Sequence, residues 1–149
     1  HARFPAGVAG ECRAAVRTLV ERLVAVDSDT LRGGKPANTA AALCWAVGRA
    51  NDLIGESSGA DSLQYAMEVG PEAARRHPEP DPVPVKELFA DLGVSGNVTT
   101  RAGGLLERLG YTPTWVDGSW YALGDPTLLT SEKRRRVALA RNRWAPALE

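Results

Sequence analysis

The segment from residue 84 to residue 109 has the spacing of a helix-turn-helix, and it constrains the fold more than any other feature. Gly93 marks a tight turn that favours positive φ, and Ser95 and Asn97 offer side-chain oxygens to cap a second helix. In such a pair the second helix enters the DNA major groove. A helical hairpin that serves only packing has the same pattern and stays open as the alternative. Apolar residues recur at helical spacing in two runs, Val85, Leu88, Phe89 and Leu92, then Val98, Ala102, Leu105, Leu106 and Leu109.

The first half of the chain predicts two longer helices. Residues 11–26 are strongly amphipathic. A second helix begins at Pro36, which the first turn of a helix accepts, and continues to Ile54. Its middle, Ala40–Val47, lacks a polar residue, so we expect it at the centre of the domain. Residues 62–69 and 71–76 predict two short helices.

The last third of the chain predicts a β-hairpin followed by a basic helix. Asp117 and Gly118 stand between aromatic and β-branched residues in the stretch Tyr111–Leu123, which is typical of a type I′ hairpin. A hairpin directly after a helix-turn-helix is the wing of a winged-helix protein. Residues 131–144 predict the basic helix.

These patterns predict a mainly α fold with about five to six helices and one C-terminal β-hairpin. Residues 1–10 are small and rich in Pro and Gly, which predicts a loose arm or the remnant of a tag. Residues 11–149 then form a single helical domain, because this length lies within the usual size of one domain.

The composition narrows the partners and the compartment. The chain has 18 Lys and Arg against 18 Asp and Glu, so a nucleic-acid surface must be a local patch. No apolar run approaches a membrane span, and the N-terminus lacks the basic-then-apolar pattern of a signal peptide. Cys12 and Cys44 stand in apolar helical contexts, which predicts buried thiols in a reducing compartment, the cytoplasm. A disulfide between them is the alternative.

The candidate DNA-binding residues fall into two groups. Asn97, Thr99, Thr100 and Arg101 stand at the start of the second helix, where base edges are read, and Arg101 can bind guanine with two hydrogen bonds. Phosphate contacts are predicted for the cations Arg108, Lys133, Arg134, Arg135, Arg136, Arg141 and Arg143. A solvated terminal helix is the alternative interpretation of the last six. Gly103 and Gly104 allow close approach of another backbone, or indicate a helix of low intrinsic stability.

Catalytic and metal-binding patterns are scarce. His1 and His77 are the two histidines, no cluster has metal-ligand spacing, and no G-x-S-x-G motif occurs. Arg32–Lys35 precedes a helix N-terminus and could contact a phosphate, but it lacks the P-loop frame. We therefore expect no enzymatic activity, no metal and no cofactor.

Two blocks of the chain together resemble a known repeat. Leu31–Ile54 followed by Val85–Leu109 is similar to the cyclin-like repeat of transcription factor IIB, in which an Ala-rich central helix precedes a helix-turn-helix. The pairing also resembles a family of uncharacterised bacterial domains with an ending such as Asn51-Asp52-Leu53. The turn after Gly93 is about one residue shorter than is usual there, and the segment from Gly55 to Pro84 is longer.

The resemblance implies a cyclin-like scaffold in a bacterial, transcription-related protein that binds double-stranded DNA. Cyclin-like folds also serve as protein-binding modules, so a protein-interaction role is the alternative. The zero net charge, the Pro-rich segment His77–Pro84 and an aromatic hairpin without Lys or Arg favour that alternative. It predicts an exposed apolar patch that includes Trp115 or Trp120.

Overall fold

A computed structural model describes the chain over residues 6–55, 65–76, 81–111, 114–116, 119–121 and 126–144. The described helices are α1 (Ala6–Val26), α2 (Pro36–Ala50), α3 (residues 65–69), α4 (Pro71–Arg76), α5 (Val85–Asp91), α6 (Val98–Arg108) and α7 (Ser131–Trp144). Two 3-10 turns, Ser28–Leu31 and Pro126–Leu128, precede α2 and α7. The predicted α class is confirmed.

Helix α1 begins at Ala6, five residues before its predicted start at Glu11. The prediction of a loose arm is therefore wrong for residues 6–10, and residues 1–5 lie outside the described part. Adding residues to an existing helix requires no new nucleus, which makes such an extension inexpensive even through Gly7 and Gly10.

Helix α2 lies at the centre of the domain, as its apolar middle predicts. All residues of Ala40–Val47 except Ala40 and Cys44 are buried. The helix ends at Ala50, not at Ile54, because Asp52 adopts a left-handed conformation with φ 57°. The turned chain brings Ile54 back onto Gly48, where no side chain intervenes.

The core lies where α1, α2 and α6 meet. Each helix presents one apolar stripe, and the fully buried side chains Leu19, Val47 and Leu105 come from the three of them. Leu128 of the second 3-10 turn is also fully buried in this cluster. Because the apolar stripe of α6 is buried, the opposite face of α6 is exposed to solvent.

The turn between α5 and α6 follows the sequence prediction in part. Gly93 has φ 61° and Gly96 has φ 90°, a conformation that glycine adopts without a steric penalty. Val94 between them is buried. Asn97 is the N-cap residue of α6, but its side chain makes no capping hydrogen bond, so the predicted cap is wrong.

Strands β1 (Thr114–Val116) and β2 (Ser119–Tyr121) pair antiparallel, with Trp115 opposite Trp120. They fall within the stretch that the sequence assigns to a hairpin. Residues 117–118, between the strands, and residues 122–125 lie outside the described part, as do the side chains of both tryptophans. An isolated parallel bridge joins Ile54 to Val83.

Cys12 and Cys44 make no disulfide, but Cys12 is half-buried and Cys44 is exposed, so the prediction of two buried thiols is wrong. Residue 44 faces away from the stripe that α2 buries. Among the described helices none is long and apolar enough to cross a bilayer.

Candidate interaction surface

The outward face of α6 is an exposed surface with little charge. Thr99, Thr100 and Gly104 are exposed and Gly103 is half-buried. These four residues share one side of the helix, opposite the side that α6 packs on α2. The first charged side chain on this side is that of Glu107, two turns from the helix start.

Close packing does not explain why glycine stands at positions 103 and 104 of this face. A Cβ atom added at Gly103 or at Gly104 meets no atom within 4 Å. Gly48 of α2 is the opposite case, because there a Cβ would overlap the side chain of Ile54. Packing inside the described part of the domain therefore requires glycine at position 48 and not at positions 103 and 104.

Arg101 points along the flank of α6 and not outward. Its guanidinium donates to the carbonyl oxygen of Thr30, and it lies 3.5 Å from Thr39 Oγ1. The same group is 3.6 Å from where a Cβ of Gly33 would stand. The position of Arg101 therefore does not favour the prediction that it recognises guanine, since its guanidinium already donates a hydrogen bond to the turn before α2.

Arg108 lies about two helical turns beyond Arg101 on the same flank of α6. Its guanidinium is 2.9 Å from Asp27 Oδ2 and 2.9 Å from Thr30 Oγ1. The carboxylate of Asp27 also accepts from the Thr30 hydroxyl and from the Asp29 amide, and these bonds, with Arg108, lower the pKa of Asp27. A carboxylate thus accompanies the cation predicted to bind phosphate.

Two of the predicted phosphate-binding cations are inside the protein. Lys133 Nζ is 2.6 Å from Asp52 Oδ2 and 2.8 Å from Glu68 Oε1. Arg136 is 3.0 Å from Asp52 and 3.2 Å from Glu68. Both sequence interpretations placed Lys133 and Arg136 on the surface. That placement is wrong, because their side chains are only 6% and 7% exposed.

The four charged groups form an ionic cluster, which we call the α7 clasp (Asp52, Glu68, Lys133 and Arg136), and all of them except half-buried Asp52 are buried. Lys133 and Arg136 share a face of α7 because they are three residues apart. The left-handed turn after α2 supplies Asp52, and α3 supplies Glu68. The guanidinium of Arg136 also lies 5.3 Å from the centre of the Tyr65 ring.

The remaining cations of α7 are placed differently. Arg135 pairs with Glu132 at 3.0 Å on the exposed side of the helix, and Arg134 is exposed near the carboxylate of Glu11. The side chains of Arg141 and Arg143 lie outside the described part. The predicted basic surface of α7 is thus smaller than its sequence indicates.

Polar contacts also fix the start of α7. Glu11 accepts hydrogen bonds from the backbone and hydroxyl of Ser131, and these bonds lower the pKa of Glu11. The amide of buried Asn51 donates to the carbonyl oxygen of Leu128 at 3.0 Å and accepts from the Thr130 N–H at 2.6 Å. Side chains of α1 and of the turn after α2 therefore hold the approach to α7.

The sequence interpretation did not assign these roles to Asn51, Asp52 and Glu68. It treated Asn51-Asp52 as a helix ending. The available signal was a strongly basic helix with two cations three residues apart, since burying such a pair requires carboxylates beside it.

The described residues contain no group of three or more His, Cys, Asp or Glu that could hold a metal ion. In comparisons with known proteins, no family model, no curated protein and no solved structure matches this chain. The surface of α6 and the α7 clasp are therefore interpreted from their own geometry.

Proposed function

We propose that this domain is a non-catalytic protein-interaction module that binds a partner through the outward face of α6. The observation that carries the proposal is the pair of half-buried Gly103 and exposed Gly104 on the outward face of α6, where an added Cβ atom meets no other atom within 4 Å. A glycine in a helix interior destabilises the helix by about 1 kcal/mol relative to alanine. No contact within the described part of the domain compensates for this loss.

A partner gives the two glycines a role. A helix face without Cβ atoms lets another backbone approach closely, and Thr99 and Thr100 add hydroxyl groups beside that path. The cyclin-like resemblance is compatible with this role, since cyclin-like folds also serve as protein-binding modules. The proposal therefore places the interface at α6 and the turn that precedes it.

The charges favour a protein over a phosphate backbone. Lys133 and Arg136 are buried in the α7 clasp, and Arg108 is paired with Asp27. On the described face of α6 the nearest exposed charge is an acid, Glu107. A surface that binds nucleic acid instead presents cations to the phosphates.

Site-specific photo-crosslinking tests the proposal in cells that produce the protein. A photoreactive phenylalanine derivative replaces exposed Thr100, and we expect one dominant protein adduct. The substitution Gly104→Leu should abolish the adduct, because it fills the close approach. Ala14→Leu, which adds the same side chain on the exposed side of α1, should leave it unchanged. An adduct that persists in Gly104→Leu, or an adduct to nucleic acid, would contradict the proposal.

Double-stranded DNA is the second candidate ligand, and the specific observation in its favour is the exposure of Asn97, Thr99 and Thr100 at the N-terminal end of α6. This is the part of a recognition helix that reads base edges. The resemblance to the transcription factor IIB repeat, together with the paired strands after α6, supports the same role. Thr99→Ala with Thr100→Ala should then weaken binding to a preferred duplex by at least about tenfold, while Ala14→Leu should not.

A further inference from the structure

Helix α7 differs from the other long helices in what holds it to the domain. The hydrophobic core contains side chains of α1, α2 and α6, and among the described residues it contains none of α7. Among the described side chains of α7, the buried ones are instead those of Lys133 and Arg136. Ion pairs with carboxylates therefore contribute to docking α7 on the domain, whereas apolar side chains dock α1, α2 and α6 on one another.

Buried ion pairs are a weak means of docking a helix. Removing Lys133, Arg136 and Glu68 from water has a large desolvation penalty, which attraction to the carboxylates of Glu68 and half-buried Asp52 only partly offsets. Apolar side chains of similar volume commonly dock a helix at least as well. The clasp therefore points to a docking equilibrium that can be shifted, and not to maximal stability.

The docked state also withholds two members of a run of four cations, because Lys133 and Arg136 are buried while Arg134 and Arg135 are exposed. Residues 133–136 read Lys-Arg-Arg-Arg, and in the docked state the first and last of them face Asp52 and Glu68. Once α7 leaves the clasp, four consecutive cations are available together. A run of this kind binds phosphates through counterion release, without reading a base sequence.

We propose that α7 is an autoinhibited phosphate-binding helix: the α7 clasp masks Lys133 and Arg136, and undocking of α7 completes a run of four accessible cations that binds a nucleic-acid backbone. This inference is independent of the proposed protein interface on α6, which lies on another part of the surface.

The variant Glu68→Gln tests the proposal, since it removes one carboxylate charge from the clasp and keeps the side-chain shape. Glu132→Gln is the matched control: it changes the net charge equally, but its partner Arg135 is on the exposed side of α7. Breaking a buried pair should shift the docking equilibrium by about 100-fold or more. Hydrogen exchange of α7 amides should accelerate accordingly, while α2 and α6 amides keep their protection.

Binding of a fluorescent random-sequence duplex is the second readout. Apparent affinity scales with the undocked fraction, so Glu68→Gln should bind at least about tenfold more tightly than either wild type or Glu132→Gln. Its logarithmic salt slope should be about −3 to −4, as expected for four phosphates. Adding Lys133→Gln and Arg136→Gln should abolish the gain.

Three results would overturn the proposal. In the wild-type protein, α7 amides as protected as those of α2 would show that α7 is not a separable unit. Equal loss of protection in α2, α6 and α7 of Glu68→Gln would show global destabilisation. Local opening of α7 without any gain in duplex affinity over Glu132→Gln would show that no phosphate-binding run is masked. The wild-type exchange experiment decides the first point even if the variant fails to fold.

Discussion

Substitution of two helix glycines by alanine should change stability in opposite directions. A methyl group at Gly48 would overlap Ile54 Cδ1 and would stand 2.6 Å from Cγ1 and 3.3 Å from Cβ. Since Cγ1 and Cβ are close to the main chain, rotation of the end of the Ile54 side chain does not clear them. Overpacking of this kind destabilises by about 1–3 kcal/mol, and the better helix propensity of alanine recovers about 1 kcal/mol. Two Ile54 atoms lie within 3.0 Å of the added methyl group, which places the overpacking loss in the upper part of that range, about 2–3 kcal/mol, so the net loss expected for Gly48→Ala is about 1–2 kcal/mol.

Gly103→Ala is the matched case, because its methyl group meets no atom within 4 Å. It should stabilise the protein by about 1 kcal/mol through helix propensity alone. Urea unfolding followed by circular dichroism gives both free energies. A Gly48→Ala protein as stable as wild type would refute the close packing of Ile54 on α2. A destabilised Gly103→Ala protein would refute the open surroundings of that position in α6.

Three further changes probe the polar contacts. Asn51→Ala should lower the free energy of unfolding, measured in urea, by about 2–4 kcal/mol, because the Thr130 N–H and a buried carbonyl lose their hydrogen-bond partner. A loss under about 1 kcal/mol would contradict the role of Asn51 in holding the approach to α7. Arg101→Ala should destabilise the protein by about 1–2 kcal/mol, since the Thr30 carbonyl loses a charged hydrogen-bond donor. An unchanged free energy of unfolding would mean that this hydrogen bond does not contribute to stability. Hydrogen bonds lower the folded-state pKa of Asp27, so its contribution is present above the ordinary pKa of an aspartate and is lost as the pH falls through the lowered value. The thermal midpoint should therefore fall less between about pH 5 and pH 3 in Asp27→Asn than in wild type, and equal falls would contradict this assignment.

The helical part of the fold could be read from the sequence because its determinants are local. The apolar stripes that carry Leu19 and Leu105 recur at helical spacing, and Gly93 marks the positive φ of the turn. The helix ends were less predictable. The stop after Ala50 depends on a left-handed Asp52, which a helix pattern that extends to Ile54 does not reveal.

The candidate sites depended on contacts between distant residues. Lys133 meets Asp52 across 81 residues of sequence and Glu68 across 65. A run of cations at the end of a chain is usually solvated, and only the tertiary fold brings carboxylates to it. The exposure of Gly103 and Gly104 was not predictable from the sequence either, since it depends on which side of α6 packs on α2.

Titration of the wild-type protein into a labelled duplex at about 0.1 M salt tests the central claim most directly. The claim is that the outward face of α6 binds a protein, while Arg108, Lys133 and Arg136 are paired with carboxylates. Folding is verified by circular dichroism in the same buffer. The account predicts an anisotropy that stays flat to about 10⁻⁴ M protein, the weak end of non-specific DNA binding. A dissociation constant of about 10⁻⁶ M or tighter that weakens steeply with salt would contradict it.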